Sequence, residues 1–253
     1  MEITMKKSSK KVICVLIFFI TLLIGTNANA AIFSGSATGS WEDVVSTDSS
    51  DVYSILNNDV GGVASFNWGE GGAYPATTFD NQFTFNGVGS DSGEWSVEED
   101  IAFLLGDFTY RNGSTYNSTG VDGVDLDVAI SLTNPGSMNY TFTSFFSITN
   151  TPNTTGNPTL DGDIVTLANT TGNTFTFAGA EYTLDILGFS KDSGNTFAYD
   201  FSSPEGAIQA AGLYGKISKT GGAQVPEPAT IFLLGSGLLG LFGYRKKFWK
   251  SKD

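Results

Sequence analysis

The side chains in this sequence that could carry reaction chemistry are almost all carboxylates. There is no histidine, and the single cysteine, Cys14, lies in an apolar stretch near the N-terminus. A Ser-His-Asp triad and a His- or Cys-bound zinc site are therefore ruled out, as is a thiol nucleophile in a chain trimmed of that stretch. No Gly-x-Gly-x-x-Gly or phosphate-loop pattern occurs either. The enzymatic option left is hydrolysis or lysis of polysaccharide by two carboxyl groups. Glu94, Glu98, Glu99 and Asp100 lie beside Trp95, whose indole could carry a stacked sugar ring. The competing reading packs Trp95 into the core and leaves the acids in water. With 23 carboxylates between Ala31 and Gln224, neighbouring acids arise by chance, so the expectation is a protein that is not an enzyme.

Oxygen ligands for calcium are the second possibility. Asp122, Asp125 and Asp127 form one group in sequence, and Asp161 and Asp163 another. Calcium takes six to eight oxygens, yet neither stretch fits the twelve-residue EF-hand loop. In a strand, Asp125 and Asp127 would simply occupy the wet face. The aromatic residues Trp41, Trp68, Trp95, Tyr74, Tyr110 and Tyr116 could form a carbohydrate-stacking platform, or could fill a core. Asn112, Asn117, Asn139, Asn153 and Asn169 each open an Asn-x-Ser/Thr triplet, a pattern that an Asn- and Thr-rich chain produces freely.

Between Ala31 and Gln224 the basic residues are Arg111, Lys191, Lys216 and Lys219, against 23 acidic ones, a net charge of −19. Such a surface repels nucleic acid and anionic lipid and suits a soluble, exported domain.

The elements that must position these groups are strands. The region is rich in Gly, Ser, Thr, Asn and Asp, a composition that disfavours helices. Phe79, Asn81, Phe83 and Phe85 alternate with polar residues, as do Val124, Leu126, Val128, Ile130 and Leu132. Tyr140, Phe142, Phe146 and Ile148 predict another strand, broken around Ser144-Phe145. Phe175–Phe177 and Tyr182–Phe189 predict a hairpin around Ala178-Gly179-Ala180. Turn signals recur, among them Asn86-Gly87, Asn134-Pro135-Gly136 and Asp161-Gly162. Many short strands between such turns predict an all-β fold, an antiparallel β-sandwich with a jelly-roll variant open, over residues 31–218. One helix is expected at Ser203–Ala211, with Pro204 in its first turn. Residues 219–224, Lys-Thr-Gly-Gly-Ala-Gln, read as a flexible linker.

The two ends set the compartment. Lys6, Lys7, Lys10 and Lys11 precede an apolar run from Val12 to Ile24, and Ala28-Asn29-Ala30 has the small-x-small form that signal peptidase cuts. Residues 1–30 are thus expected to be a removed signal peptide; the alternative, an N-terminal anchor, would span only roughly 20 Å. Residues 225–253 begin with Val225-Pro226-Glu227-Pro228, continue as an apolar span over 229–244 and end in a basic tail over 245–253. That span makes about 24 Å of helix, marginal for a hydrocarbon core of about 30 Å. Arg245, Lys246 and Lys247 act as a membrane stop and should stay cytoplasmic, which leaves the acidic region outside.

Val225-Pro226-Glu227-Pro228, the Gly-rich apolar span and Arg245-Lys246-Lys247 together resemble the PEP-CTERM sorting signal of Gram-negative bacteria. The resemblance implies recognition by an exosortase, a membrane cysteine protease-transpeptidase. That enzyme would cut near the Pro-Glu-Pro and pass the protein from the inner membrane to the outer envelope or an extracellular polysaccharide matrix. The remainder is similar to the choice-of-anchor K (THxN) group of exported proteins at Phe103–Asn112, Val124–Asp127 and Tyr182–Phe189. Where that group is named for Thr-His-x-Asn, this chain has Thr109-Tyr110-Arg111-Asn112. Without the histidine no shared site chemistry transfers. The implied role is a structural or matrix-associated exported protein, with a carbohydrate- or calcium-binding module and a polysaccharide-degrading enzyme as the alternatives.

Overall fold

Alternation of apolar and polar residues dominates the chain from Ile32 to Gly222, and its described residues fold as thirteen strands. They are β1 (Ile32–Val45), β2 (Tyr53–Leu56), β3 (Val63–Trp68), β4 (Asn81–Gly87), β5 (Trp95–Glu98), β6 (Ala102–Arg111) and β7 (Gly123–Asn134). There follow β8 (Met138–Thr149), β9 (Asp163–Leu167), β10 (Asn173–Phe177), β11 (Ala180–Ser190), β12 (Asp200–Ser203) and β13 (Ile208–Gly222). The computed structural model describes residues 30–57, 62–72, 81–89, 93–116, 119–168 and 173–222. Among the described residues there is no helix, and none therefore long and apolar enough to cross a membrane. The 229–244 span, the sorting motif and the cleavage residue Ala28 lie outside the described residues, as do Phe79, Tyr74, Asn117 and Asn169. Ala30 is described and exposed.

Two antiparallel sheets result. One has the order β12-β9-β8-β7-β1-β5, the other β10-β11-β13-β6-β4-β3-β2. The long central ladder pairs Trp41 with Leu126 and Ala37 with Ile130, so the apolar stripe Val124, Leu126, Val128, Ile130 and Leu132 faces inward. From the other sheet Phe66, Phe83, Phe85, Phe108 and Tyr110 face it, all fully buried. Trp41 of β1 meets Phe83 at 5.6 Å and Phe66 at 6.2 Å between ring centroids, across the sandwich. It also meets Phe146 of its own sheet edge-on at 5.3 Å. Aromatic pairs at such separations add to the area they bury.

The predicted hairpin forms. Ala178 and Gly179 both take positive φ, 50° and 78°, as a two-residue turn of mirror-image type requires, and Phe177 pairs with Ala180.

Three expectations are corrected. Strand β8 is not broken at Ser144-Phe145: Phe142, Ser144, Phe146 and Ile148 all keep the inward face, and Ser144 is buried. Phe145 turns outward over Gly123, where a Cβ would stand 2.3 Å from its ring, so the glycine makes the room. The helix at Ser203–Ala211 is replaced by β12, a turn and β13. Gly206 takes φ 75°, the Ala207 amide donates to Pro204 O, and Ile208 begins a long ladder with Arg111 of β6. A full sheet edge outweighs the weak helical propensity of this stretch. The linker over 219–224 is shortened as well, because β13 continues to Gly222.

Replacing Trp41 by alanine removes the largest ring at the centre of the sandwich. Urea unfolding should show a loss of about 3–5 kcal/mol for Trp41→Ala, and of under about 0.5 kcal/mol for a substitution of exposed Tyr199 by alanine.

Candidate functional site

The sandwich separates the carboxylates singled out in the sequence into three settings. The first surrounds Trp95. That indole packs in the core against Phe103, with ring centroids 4.3 Å apart, and offers no face to a sugar. Glu94 is exposed and accepts a hydrogen bond from Thr133 Oγ1 at 2.8 Å. Glu98 and Asp100 are exposed too, while Glu99 bonds with the hydroxyl of Tyr182. The aromatic platform is likewise corrected. Trp41, Trp68, Trp95 and Tyr110 are all buried, because alternate residues of a sandwich strand must fill its interior; of the described members of that set, only Tyr116 is exposed.

The second setting is the wet face of β1 and β7. Asp125 stands opposite Glu42, and Asp127 opposite Ser40. Glu42 is hydrogen-bonded to Asp127, and this bond, with the charges of Asp127, Asp43 and Asp125, raises its carboxyl above the usual range. Asp125 is raised by partial burial and by the charges of Asp43 and Asp127. Thr143 Oγ1 donates to Asp127 at 2.5 Å and Thr47 Oγ1 to Asp122 at 2.9 Å. These groups repel one another across an exposed surface.

The third setting lies at the end of β6; the sequence singled out Tyr110, Asn112 and the pair Asp161 and Asp163 separately, without showing that they meet. Tyr110 and Asn112 point inward there, together with Ser114, Asp163, Ser203 and Glu205, all buried. Tyr110 donates its hydroxyl to Asp163 Oδ2 at 3.1 Å, and the Thr151 amide donates to Asp163 Oδ1 at 2.7 Å. Ser114 donates a short hydrogen bond to Glu205. Asn112 Nδ2 reaches Ser203 O at 2.9 Å, while its backbone pairs with Gly206 and Ala207. Asp161, on the loop before β9, accepts from the Thr155 amide at 3.0 Å.

The electrostatics follow from burial and from those bonds. Burial pushes Asp163 up to about 6 against the bonds from Thr151 and Tyr110, and the charge of Glu205 adds to the rise. Burial also raises Glu205, and it carries the Tyr110 hydroxyl well above its ordinary value with help from Asp163. For Asp161 burial acts upward too, but bonds from Thr155, Gly156 and Thr154 outweigh it and hold the carboxyl low.

The five aspartates considered for calcium thus fall into two places. Asp122, Asp125 and Asp127 belong to β7 and its lead-in, and Asp161 and Asp163 to the third setting. Among the described residues no three His, Cys, Asp or Glu side chains are grouped so as to hold a metal ion. Of the described sequons, Asn112 is buried and bonded, Asn153 bonds to Glu205, and Asn139 is exposed on β8. In the sequence Tyr110, Asn112 and the pair Asp161 and Asp163 stand out only separately, and Pro204 only as the first turn of a helix. Nothing local joins them, because Asn112 and Ser114 find their partners 91 residues away in sequence.

Asn112→Ala should cost about 1–3 kcal/mol, since it strands the Ser203 carbonyl in a buried site; thermal or urea unfolding against wild type reads the loss.

No curated protein matches the chain. The PEP-CTERM protein-sorting motif matches residues 224–247, a stretch that contains Val225-Pro226-Glu227-Pro228 and ends on Arg245-Lys246-Lys247. The chain therefore carries the address of an exported, membrane-transiting protein that an exosortase-type enzyme processes.

Proposed function

We propose that the β-sandwich is the cargo of that address, a non-catalytic structural or matrix-associated protein of the cell envelope or extracellular matrix. The observation that carries this reading is the sorting motif at residues 224–247. Physical chemistry supplies the order of events. The N-terminal segment directs export and is cut after Ala30. The apolar span then halts in the inner membrane, with Arg245, Lys246 and Lys247 held on the cytoplasmic side. The acidic domain folds outside, where its surplus of carboxylates keeps it soluble and away from anionic lipid.

Stability without disulfides suits this route. The domain has no cysteine of its own, and its fold draws on a continuous apolar core from Phe33 to Ile217. The non-catalytic reading is supported around Trp95, where the acids Glu94, Glu98 and Asp100 face water beside an indole that no sugar can stack on. Similarity to the choice-of-anchor K group fits the same reading. In this chain its Thr109–Asn112 stretch is occupied in tying β6 to the β12–β13 turn and to Asp163.

Intact-mass spectrometry of the protein from its native host tests the proposal. The expected chain begins at Ala31 and ends near Pro226-Glu227-Pro228. A chain ending at Asp253 would make the tail a permanent anchor and refute processing.

A further inference from the structure

The loop between β8 and β9 crosses the third carboxylate setting from outside. Residues 154–160 are all exposed, and the one large apolar side chain among them, Leu160, faces water. The loop thus adds almost nothing to the core. What holds it down is polar. The Thr151 amide donates to Asp163, the Asn153 side chain bonds to Glu205, and the Glu205 amide donates to Pro158 O at 2.8 Å. Within the loop the Thr155 amide closes onto Asp161, and the Asp161 amide onto Asn157 O.

Beneath it, Asp163 and Glu205 are buried at 5 % and 6 % exposure. The groups that face them are Tyr110 from β6, Ser114 after it, Asp161 from the loop, and each other; the charges that act on the pair are carboxylates. On its inner side Asp163 meets Tyr110, which is fully buried and stacked on Trp68, so water cannot arrive that way without breaking the aromatic core. The cheap way to rehydrate an ionised Asp163 is to lift the loop.

We propose that residues 150–162 form a pH-gated strap, closed over Asp163 and Glu205 while Asp163 holds a proton and released as that proton leaves. The idea is independent of how the chain is sorted. Its direction follows from linkage. In the closed form Asp163 titrates at about 6, against an ordinary value of 3.8 when open, so closure is favoured below the lower value and weakens as pH rises to the upper one. Above about 6 the effect levels off. Glu205, also raised, acts in the same sense. Asp161 is held low, so its own contribution changes only below 3.8, outside the range to be tested.

Hydrogen–deuterium exchange of the full chain, held in a phosphocholine detergent, tests the strap. Protection of a peptide covering 150–163, corrected for the intrinsic pH dependence of exchange, is compared at pH 4.5 and 7.0 with that of a β7 peptide covering 124–132. The expected result is a fall of about 20–30-fold in the strap peptide, with the β7 peptide unchanged. Asp163→Asn should remove most of the difference, leaving only the part that Glu205 contributes. Tyr110→Phe removes a bond that favours the ionised carboxylate, so it should move the change to higher pH. The proposal is overturned if strap protection is the same at both pH values, if it falls in step with β7, or if Asp163→Asn keeps the wild-type dependence. Should Asp163→Asn fail to fold, the carboxyl carbon shift of Asp163 in the wild type decides: its titration must coincide with the loss of protection.

Discussion

The two sheets are held face to face by a cluster of aromatic rings packed among aliphatic side chains. Trp41 enters from one sheet and meets Phe66, Phe83 and Phe108 from the other, and Phe146 closes the cluster from beside it. Phe108 carries the contact on to Phe189 and Phe201, and Phe33 joins Phe175 and Tyr182. An exported domain with no cysteine has no crosslink to fall back on, so this interlock of large rings must offset the entropy of ordering some 190 residues. The same demand explains why Trp41, Trp68 and Trp95 are inside and unavailable as a sugar platform.

Scarcity of cations shapes the rest. With four basic residues in the domain, buried carboxylates cannot rely on arginine or lysine partners, and Asp163 and Glu205 are satisfied instead by hydroxyls and amides from Tyr110, Thr151 and Ser114. Hydrogen bonds to neutral donors offset less of the desolvation of a charge than a cation would. Burial accordingly raises Asp163 and Glu205, whereas the acids at Glu42, Asp125 and Asp127 remain in contact with water on the outer face.

How far the sequence revealed this depends on how local the determining interactions are. Period-two stripes such as Val124–Leu132 gave β7 its inward face, and Ala178-Gly179 marked the hairpin, because both depend on neighbours in the chain. The stretch Ser203–Ala211 was misread as helix since its strand character comes from pairing with β6, far back in sequence. The third carboxylate setting was hidden for the same reason: Asn112 and Ser203 are 91 residues apart, as are Ser114 and Glu205. The sorting motif was legible throughout, as it is a linear signal read by another protein.

That motif is the part of the chain on which its fate turns. Residues 224–247 address the chain to an exosortase-type processing enzyme. The most direct measurement is cell fractionation of a variant in which Pro226, Glu227 and Pro228 are all replaced by alanine, with the wild type alongside and antibodies against both the domain and the basic tail. The expected result is a full-length variant retained in the inner membrane with its tail attached, while the wild type is found beyond it without the tail. Export of the variant in wild-type amount and at wild-type mass would contradict sorting through this motif.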